Sequence, residues 1–155
     1  MISFRQAEPA DVDLIFDWAN DELTRKNSFN SDPVKYETHV TWFNNQLQNA
    51  GSIILIFFSD QVACGQVRFN MGNETIIGIT IAREFRGRSL GKIMLKEACD
   101  FFFTKFPKNE ITAYIKEENK ASISAFEKAG FLFYEKRTVS NCESVVYKKR
   151  KEEIK

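Results

Sequence analysis

No apolar run in this sequence approaches the ~20 residues that a membrane-spanning helix needs. The N-terminus lacks a basic stretch followed by an apolar one, so no secretory leader is expected. Charge of one sign is missing too: 22 Lys and Arg face 21 Asp and Glu, a formal net charge of +1. That balance gives no global field drawing the chain to nucleic acid, and neither a nucleic-acid nor a membrane partner is expected. Cysteine is scarce. Cys64, Cys99 and Cys142 form an odd set with no Cys-x-x-Cys. They read as reduced, mostly buried thiols of a cytoplasmic protein. His39 is the single histidine, and no metal is expected. No linker, repeat or low-complexity segment divides the chain, and its 155 residues suit one domain over 1–155.

What is present is apolar bulk, with 43% hydrophobic residues and 15 Phe. Ile2–Phe4 opens as a short strand. Pro9 stands where a first helical residue would, with Glu8, Asp11 and Asp13 near the positive end of the helix dipole. Val12, Ile15, Phe16 and Ala19 then share one helical face. From Asn20 to Asp32 the chain reads as polar and irregular. A second helix follows Tyr36, with Val40, Phe43 and Leu47 on one side, and ends before Gly51. Ile53–Phe58 is a continuous apolar run, as in a strand buried on both faces. Val67 and Phe69 alternate with Gln66, Arg68 and Asn70, the pattern of a half-buried strand. After the turn Met71-Gly72-Asn73 comes another strand, ending at Ile81. A helix runs to about Lys105, followed by a strand over Ile111–Ile115, another helix, and a hairpin of Phe131–Val139 with Glu143–Lys149 around Asn141. The charged tail Lys148–Glu153 reads as a solvated end.

One loop carries most of the chemical information. Arg86-Gly87-Arg88-Ser89-Leu90-Gly91-Lys92 lies between the strand Thr75–Ile81 and the helix carrying Leu90, Met94, Ala98 and Phe101 on one face. Strand, small basic loop, helix is an order that presents unpaired N–H groups and the dipole's positive end to an anion. Gly87 and Gly91 let the backbone approach a phosphate, and Arg86, Arg88 and Lys92 add charge. The spacing excludes a Walker A loop: three residues separate Gly87 from Gly91, and Ile93 follows Lys92. It also lacks the third glycine of a dinucleotide fingerprint. A basic turn that only starts a helix is the plainer reading of the loop alone.

A second segment, Asn119 to Phe131, sits one helix and one strand further on. Asn119 is an N-cap by residue type, Ile123, Phe126 and Ala129 form an apolar face, and Gly130 ends the helix. The first loop resembles the Arg-x-x-Gly-x-Gly pyrophosphate loop of the GNAT N-acetyltransferase family through Arg86, Ser89 and Gly91. Ser89 stands where that family usually has glycine. The second segment resembles the family's Asn-x-x-Ala/Ser-x-x-x-Tyr-Glu-Lys-x-Gly-Phe helix, through Asn119, Ser122, Glu127, Lys128, Gly130 and Phe131. The order of elements matches as well, so the resemblance covers nearly the whole chain.

The resemblance implies an α/β (α+β) fold, a mixed central sheet of about six to seven strands flanked by about four helices. It implies acetyl-CoA as co-substrate, held in a splay between the strand ending at Ile81 and the strand Ile111–Ile115. Pantetheine would pair with Ile79, Thr80 and Ile81 as an added strand does. Leu90 and Lys92 of the loop, and Asn119, Ser122 and Phe126 of the second helix, complete the expected cofactor contacts. Gly78 reads either as a bulge that frees oxyanion donors or as a packing glycine.

The implied reaction is direct attack of a neutral amine on the thioester. Glu74 opens the key strand and is a candidate proton relay. His39 has a suitable pKa for a base but also the surroundings of a packing histidine. The family's usual acid is a Tyr in the second helix, and here that position is Phe126, which has no proton to give. Tyr134, Tyr114 and Ser122 are the candidate substitutes. Thiolate leaves tolerably without an acid, since a thiol pKa lies near ~8.5.

The first half of the chain resembles bacterial enzymes that acetylate nucleotide-linked amino sugars. Trp42 or Phe29 would stack a base, Arg25 and Lys26 would meet a diphosphate, and Asn27, Ser28, Asn30 and His39 would meet hydroxyls. A protein α-amine, another small amine, and an acyl-CoA-binding module without catalysis stay open beside that reading. A homodimer is allowed.

Overall fold

The structure, a computed structural model, describes residues 1–152. The strands are β1 (Ile2–Gln6), β2 (Ser52–Ser59), β3 (Val62–Met71), β4 (Thr75–Ile81), β5 (Ile111–Lys116), β6 (Leu132–Val139) and β7 (Cys142–Lys149). The helices are α1 (Val12–Ala19), α2 (Glu22–Asn27), α3 (Tyr36–Gln48), α4 (Leu90–Lys105) and α5 (Lys120–Lys128). All seven strands form one mixed sheet in the order β1-β2-β3-β4-β5-β7-β6. Every neighbouring pair is antiparallel except β4 and β5.

The continuous apolar run of β2 is explained by cover on both faces. Ile53, Leu55 and Phe57 enter the core beneath α4, while Ile54 and Ile56 meet Ile15, Trp18 and Phe43 of α1 and α3. On α4 the buried stripe runs through Leu90, Met94, Leu95, Ala98, Cys99, Phe102 and Phe103. Phe101 is only partly buried and packs edge-on against Phe4. Phe102 stacks on Phe69 of β3 with ring centroids 4.6 Å apart.

Three expectations change. The segment Asn20–Asp32 is not wholly irregular, because it holds α2. Asp21 accepts from Thr24 N–H as N-cap, Glu22 sits in the first turn, and Arg25 and Lys26 sit in the last. The last hairpin starts at Leu132, with Phe131 buried ahead of it. It closes through Ser140 (φ 47°) and Asn141 (φ 64°), the left-handed pair that matches strand twist. Gly78 is not at a bulge: β3 and β4 stay in unbroken register, with Arg68 opposite Gly78. Pro9 opens a short 3₁₀ turn, Pro9–Asp11, that leads into α1. Of the charged tail, Lys151 and Glu152 are exposed, and Glu153 lies outside the described residues.

All three thiols are free. Cys64 and Cys99 are buried and Cys142 half-buried. Burial pushes the Cys99 thiol up to about 12, so it stays protonated and inert at neutral pH.

Paired carboxylates tie the periphery together. Arg5 grips Asp11 with two hydrogen bonds of 2.7 and 2.9 Å. That grip holds the Asp11 carboxyl below the usual range against the opposing effect of burial, with help from the Glu8 N–H. Burial raises Asp21, but Arg86 and the Thr24 N–H outweigh it, and the net direction is down. These groups stabilise the fold above their unfolded pKa of about 3.9 and lose that effect as pH falls through the lower folded values. The melting temperature is therefore expected to be level between about pH 5 and 7 and to fall below about pH 4. Thermal melts across that range check this, and a doubly substituted Asp11→Asn, Asp21→Asn protein should lose part of the acid slope. An unchanged slope in that variant would refute the assignment.

Candidate active site

Strands β4 and β5 pair at only two positions, Thr75 opposite Ile111 and Ile76 opposite Thr112. Beyond these, β4 stays with β3 as far as Ile81, and β5 stays with β7 as far as Lys116. The two parallel strands therefore part. The edge of β4 from Ile77 to Ile81 has no ladder partner on its β5 side among the described residues. A cleft of about 860 Å³ opens in this gap. Ile79, Thr80 and Ile81 line it, with Ser122 and Phe126 from α5 and Asn119 ahead of that helix.

The loop from β4 to α4 closes one end. Gly87 (φ 77°) and Ser89 (φ 59°, ψ 26°) both take left-handed backbone before the first helical residue, Leu90. A Cβ on Gly87 would meet nothing within 4 Å, so the loop faces open space there. Gly91 has a different role. A Cβ there would lie 3.1 Å from the Ala125 Cβ, so the missing side chain lets α4 and α5 approach closely. Lys92 is exposed in the first turn of α4, and the Arg88 guanidinium lies 5.2 Å from the Phe85 ring centroid.

Arg86 lines the cleft but is engaged. Its guanidinium donates to Asp21 at 2.5 Å, to the Ile81 carbonyl at 3.2 Å and to Thr24 at 3.4 Å. It thus joins the end of β4 to the cap of α2. Lys116 of β5 makes a second tie by donating to the Lys26 carbonyl at 2.8 Å. These two contacts hold α2 over the mouth of the cleft, which brings Asn27, Ser28 and Phe29 to its lining.

Phe126 is 3% exposed and packs edge-on against Phe131 at 4.9 Å. Asn119 spends its side-chain oxygen on the Ser122 N–H, capping α5. At the closed end of the gap, Tyr114 donates to Glu74, 2.7 and 2.6 Å from its two oxygens. Burial, then the hydrogen bond to Glu74 and its charge, raise the Tyr114 pKa, so its proton stays on the phenol. Arg137 donates to the same phenol oxygen at 3.3 Å and also pairs with Glu135.

The open edge of β4, the left-handed loop and the helix end are what a pantetheine and a pyrophosphate require. The sequence profile of the acetyltransferase (GNAT) domain matches residues 2–132. The chain belongs to the GNAT acetyltransferase family. The match stops where β6 begins. Spermidine N-acetyltransferase from Vibrio cholerae, solved with CoA and spermine, superposes with a TM-score of 0.81 at 16% identity, over 95% of this chain and 92% of that one. A Salmonella typhimurium protein solved with acetyl-CoA gives 0.80 at 17% identity, over 100% and 96% of the two chains. An N-acetyltransferase from Staphylococcus aureus gives 0.80 at 17% identity, over 97% and 98%. No curated protein sequence matches the chain. As a GNAT enzyme the protein is an N-acetyltransferase with acetyl-CoA as co-substrate. When bound, acetyl-CoA supplies an acetyl group activated as a thioester.

Five residues expected as proton carriers or acceptor contacts lie elsewhere, and of the expected cofactor contacts Gly87, Arg88, Ser89, Leu90 and Lys92 also fall outside the cleft lining, Leu90 in the core. His39 is 3% exposed, its Nε2 lies 2.9 Å from the Val12 carbonyl, and its ring stacks on Phe43. It is a packing histidine between α1 and α3, away from the cleft. Trp42 does not line the cleft and instead carries the Arg68 guanidinium 5.1 Å from its ring centroid. Arg25 is spent on the carbonyls of Ala19, Asn30 and Asp32 and on Ser28 Oγ, holding the segment after α2 together. Asn30 is exposed and outside the lining. Tyr134 is 58% exposed on β6, where the Lys148 ammonium sits 4.2 Å from its ring centroid. The lining also holds Gln66, Arg68, Arg137 and Thr138, which pattern reading passed over.

Proposed function

We propose that this chain transfers acetyl directly from acetyl-CoA to the primary amine of a nucleotide-linked amino sugar. The observation that carries the acceptor reading is the charge of the cleft. Among its lining residues three guanidinium groups, Arg68, Arg86 and Arg137, outnumber the single carboxylate, Glu74; Asp21 pairs with Arg86 and Glu135 with Arg137, so Arg68 is the lining cation without a carboxylate partner among the described residues. Like charges repel in a partly dry cleft, so a polyamine meets an unfavourable wall where a diphosphate meets a favourable one. Asn27, Ser28 and Thr138 add neutral donors and acceptors suited to sugar hydroxyls, and Phe29 adds an aromatic plane for a base.

In this reading Arg88, Lys92 and the N–H groups at the start of α4 hold the pyrophosphate. The free edge Ile79–Ile81 pairs with pantetheine. Glu74 accepts the amine proton through water. Tyr114 replaces Tyr134 as the phenol near the leaving sulfur, and its link to Glu74 lets one proton return along the same pair. Phe126 packs beside the thiol end and supplies no proton. Glu74→Gln is expected to lower kcat with little change in CoA affinity.

The test is release of free thiol from acetyl-CoA with three acceptor classes: nucleotide-linked amino sugars, peptides with a free α-amine, and polyamines. Turnover with the first class alone is expected. Turnover confined to peptides or polyamines would refute the acceptor, and absence of any turnover with intact CoA binding would indicate a binding module.

A further inference from the structure

Two polar side chains under the cleft are left without partners. Strand β3 turns Val67 and Phe69 into the α4-side core and Gln66, Arg68 and Asn70 to the opposite face. Asn70 is satisfied there by Gln46 Oε1 at 2.7 Å and by Ser52 Oγ at 3.4 Å. Gln66 is 5% exposed, and its Oε1 is buried with no hydrogen-bond partner. Arg68 makes no ion pair or side-chain hydrogen bond among the described residues, and its guanidinium lies over the Trp42 ring, 5.1 Å from the centroid. Burial drives its pKa down.

Gly78 explains how Arg68 reaches the cleft. The two residues are paired across β3 and β4, and a Cβ on Gly78 would lie 3.8 Å from Arg68 Nη2. The side chain thus lies across β4 where β4 has no side chain of its own. Gln66, opposite Thr80, is the next residue of β3 on the same face. Both line the cleft beside the open edge of β4.

We propose that Gln66 and Arg68 form an acceptor subsite that recognises an oxyanion, a phosphate or a carboxylate, carried by the molecule whose amine is acetylated. A guanidinium offers only donors, and an indole face cannot accept all of them. A half-buried cation without an anionic partner is costly, and so is a buried amide oxygen without a donor. A ligand bearing an oxyanion with a hydroxyl or N–H group nearby satisfies both. The inference rests on acetyl transfer in this cleft but not on the nucleotide, since a sugar phosphate or an amino acid offers the same chemistry.

The experiment compares matched acceptors: an amino sugar 1-phosphate against the free amino sugar, and an α-amino acid against its amide. Wild type is expected to favour the acidic member of at least one pair by about tenfold or more in kcat/KM, the effect of a charge-assisted hydrogen bond. Arg68→Gln should remove the preference through acceptor KM, leave the acetyl-CoA KM unchanged, and Arg68→Lys should restore part of it. The pair that responds identifies phosphate or carboxylate. Equal kcat/KM within both pairs, or a preference that survives Arg68→Gln, would overturn the subsite. A measurement independent of turnover uses inorganic phosphate as probe. With acetyl-CoA saturating the loop, phosphate should raise the melting temperature of wild type and not of Arg68→Gln, and equal shifts would overturn the proposal. Failure of acetyl transfer itself appears separately, as no thiol release with any acceptor.

Discussion

A folded Gly91→Glu protein is expected to lose CoA binding by several hundredfold. Gly91 lines the cleft in the first turn of α4, close against Ala125 Cβ and Ile81 Cδ1. A carboxylate there points like charge at a pyrophosphate. Two unit charges 4 Å apart repel by about 4 kcal/mol at an effective dielectric constant of about 20, roughly 700-fold in affinity. The steric part is separable. Gly91→Ala brings a tight 3.1 Å contact with Ala125 Cβ and an ordinary 3.4 Å contact with Ile81 Cδ1, so it should weaken binding slightly and lower the melting temperature by a few degrees. Calorimetric titration with CoA, alongside thermal melts of both variants, distinguishes the two contributions. Unchanged affinity in folded Gly91→Glu would remove this loop from the site.

The largest stability effect is expected at Phe102. Its ring is fully buried, stacked on Phe69 and in contact with Phe103 and Phe106. Truncation leaves a cavity between α4 and the C-terminal end of β3, and Phe→Ala changes of this kind cost about 3–5 kcal/mol. For a domain of this size that corresponds to a fall of about 10 °C in melting temperature. Chemical denaturation should show a lower midpoint with an unchanged slope. A loss under about 1 kcal/mol would mean that the stack relaxes to fill the gap.

The strand and helix order follows from apolar periodicity, and the cofactor end of the cleft follows from the loop and the Asn119 cap. Both are local signals, and local signals survive folding. The acceptor end is different. Arg25, His39 and Trp42 have residue types suited to a ligand, yet each is used internally, by loop carbonyls, by a helix carbonyl and by a neighbouring guanidinium. Residue type alone does not say whether a polar group is already satisfied. Gln66 and Arg68 show the converse. They read as the wet half of an alternating strand, but α1 and α3 cover that face and leave Gln66 buried. Helix α2 was within reach of sequence reasoning, because Asp21, Glu22, Arg25 and Lys26 carry the cap and the end charges. The Asn and Ser residues after them masked that signal.

The insertion of β7 between β5 and β6 has a consequence for biosynthesis. Strand β5 has two ladder positions with β4 and six with β7. A chain emerging from the ribosome can assemble the meander β1–β4 early, but β5 keeps an open edge until residues 142–149 have been made. An open edge is where another nascent chain can pair. One wall of the substrate cleft is thus completed only when residues 142–149 have been translated, and a messenger truncated before Cys142 yields a chain with the acetyl-CoA loop intact but β5 largely unpaired.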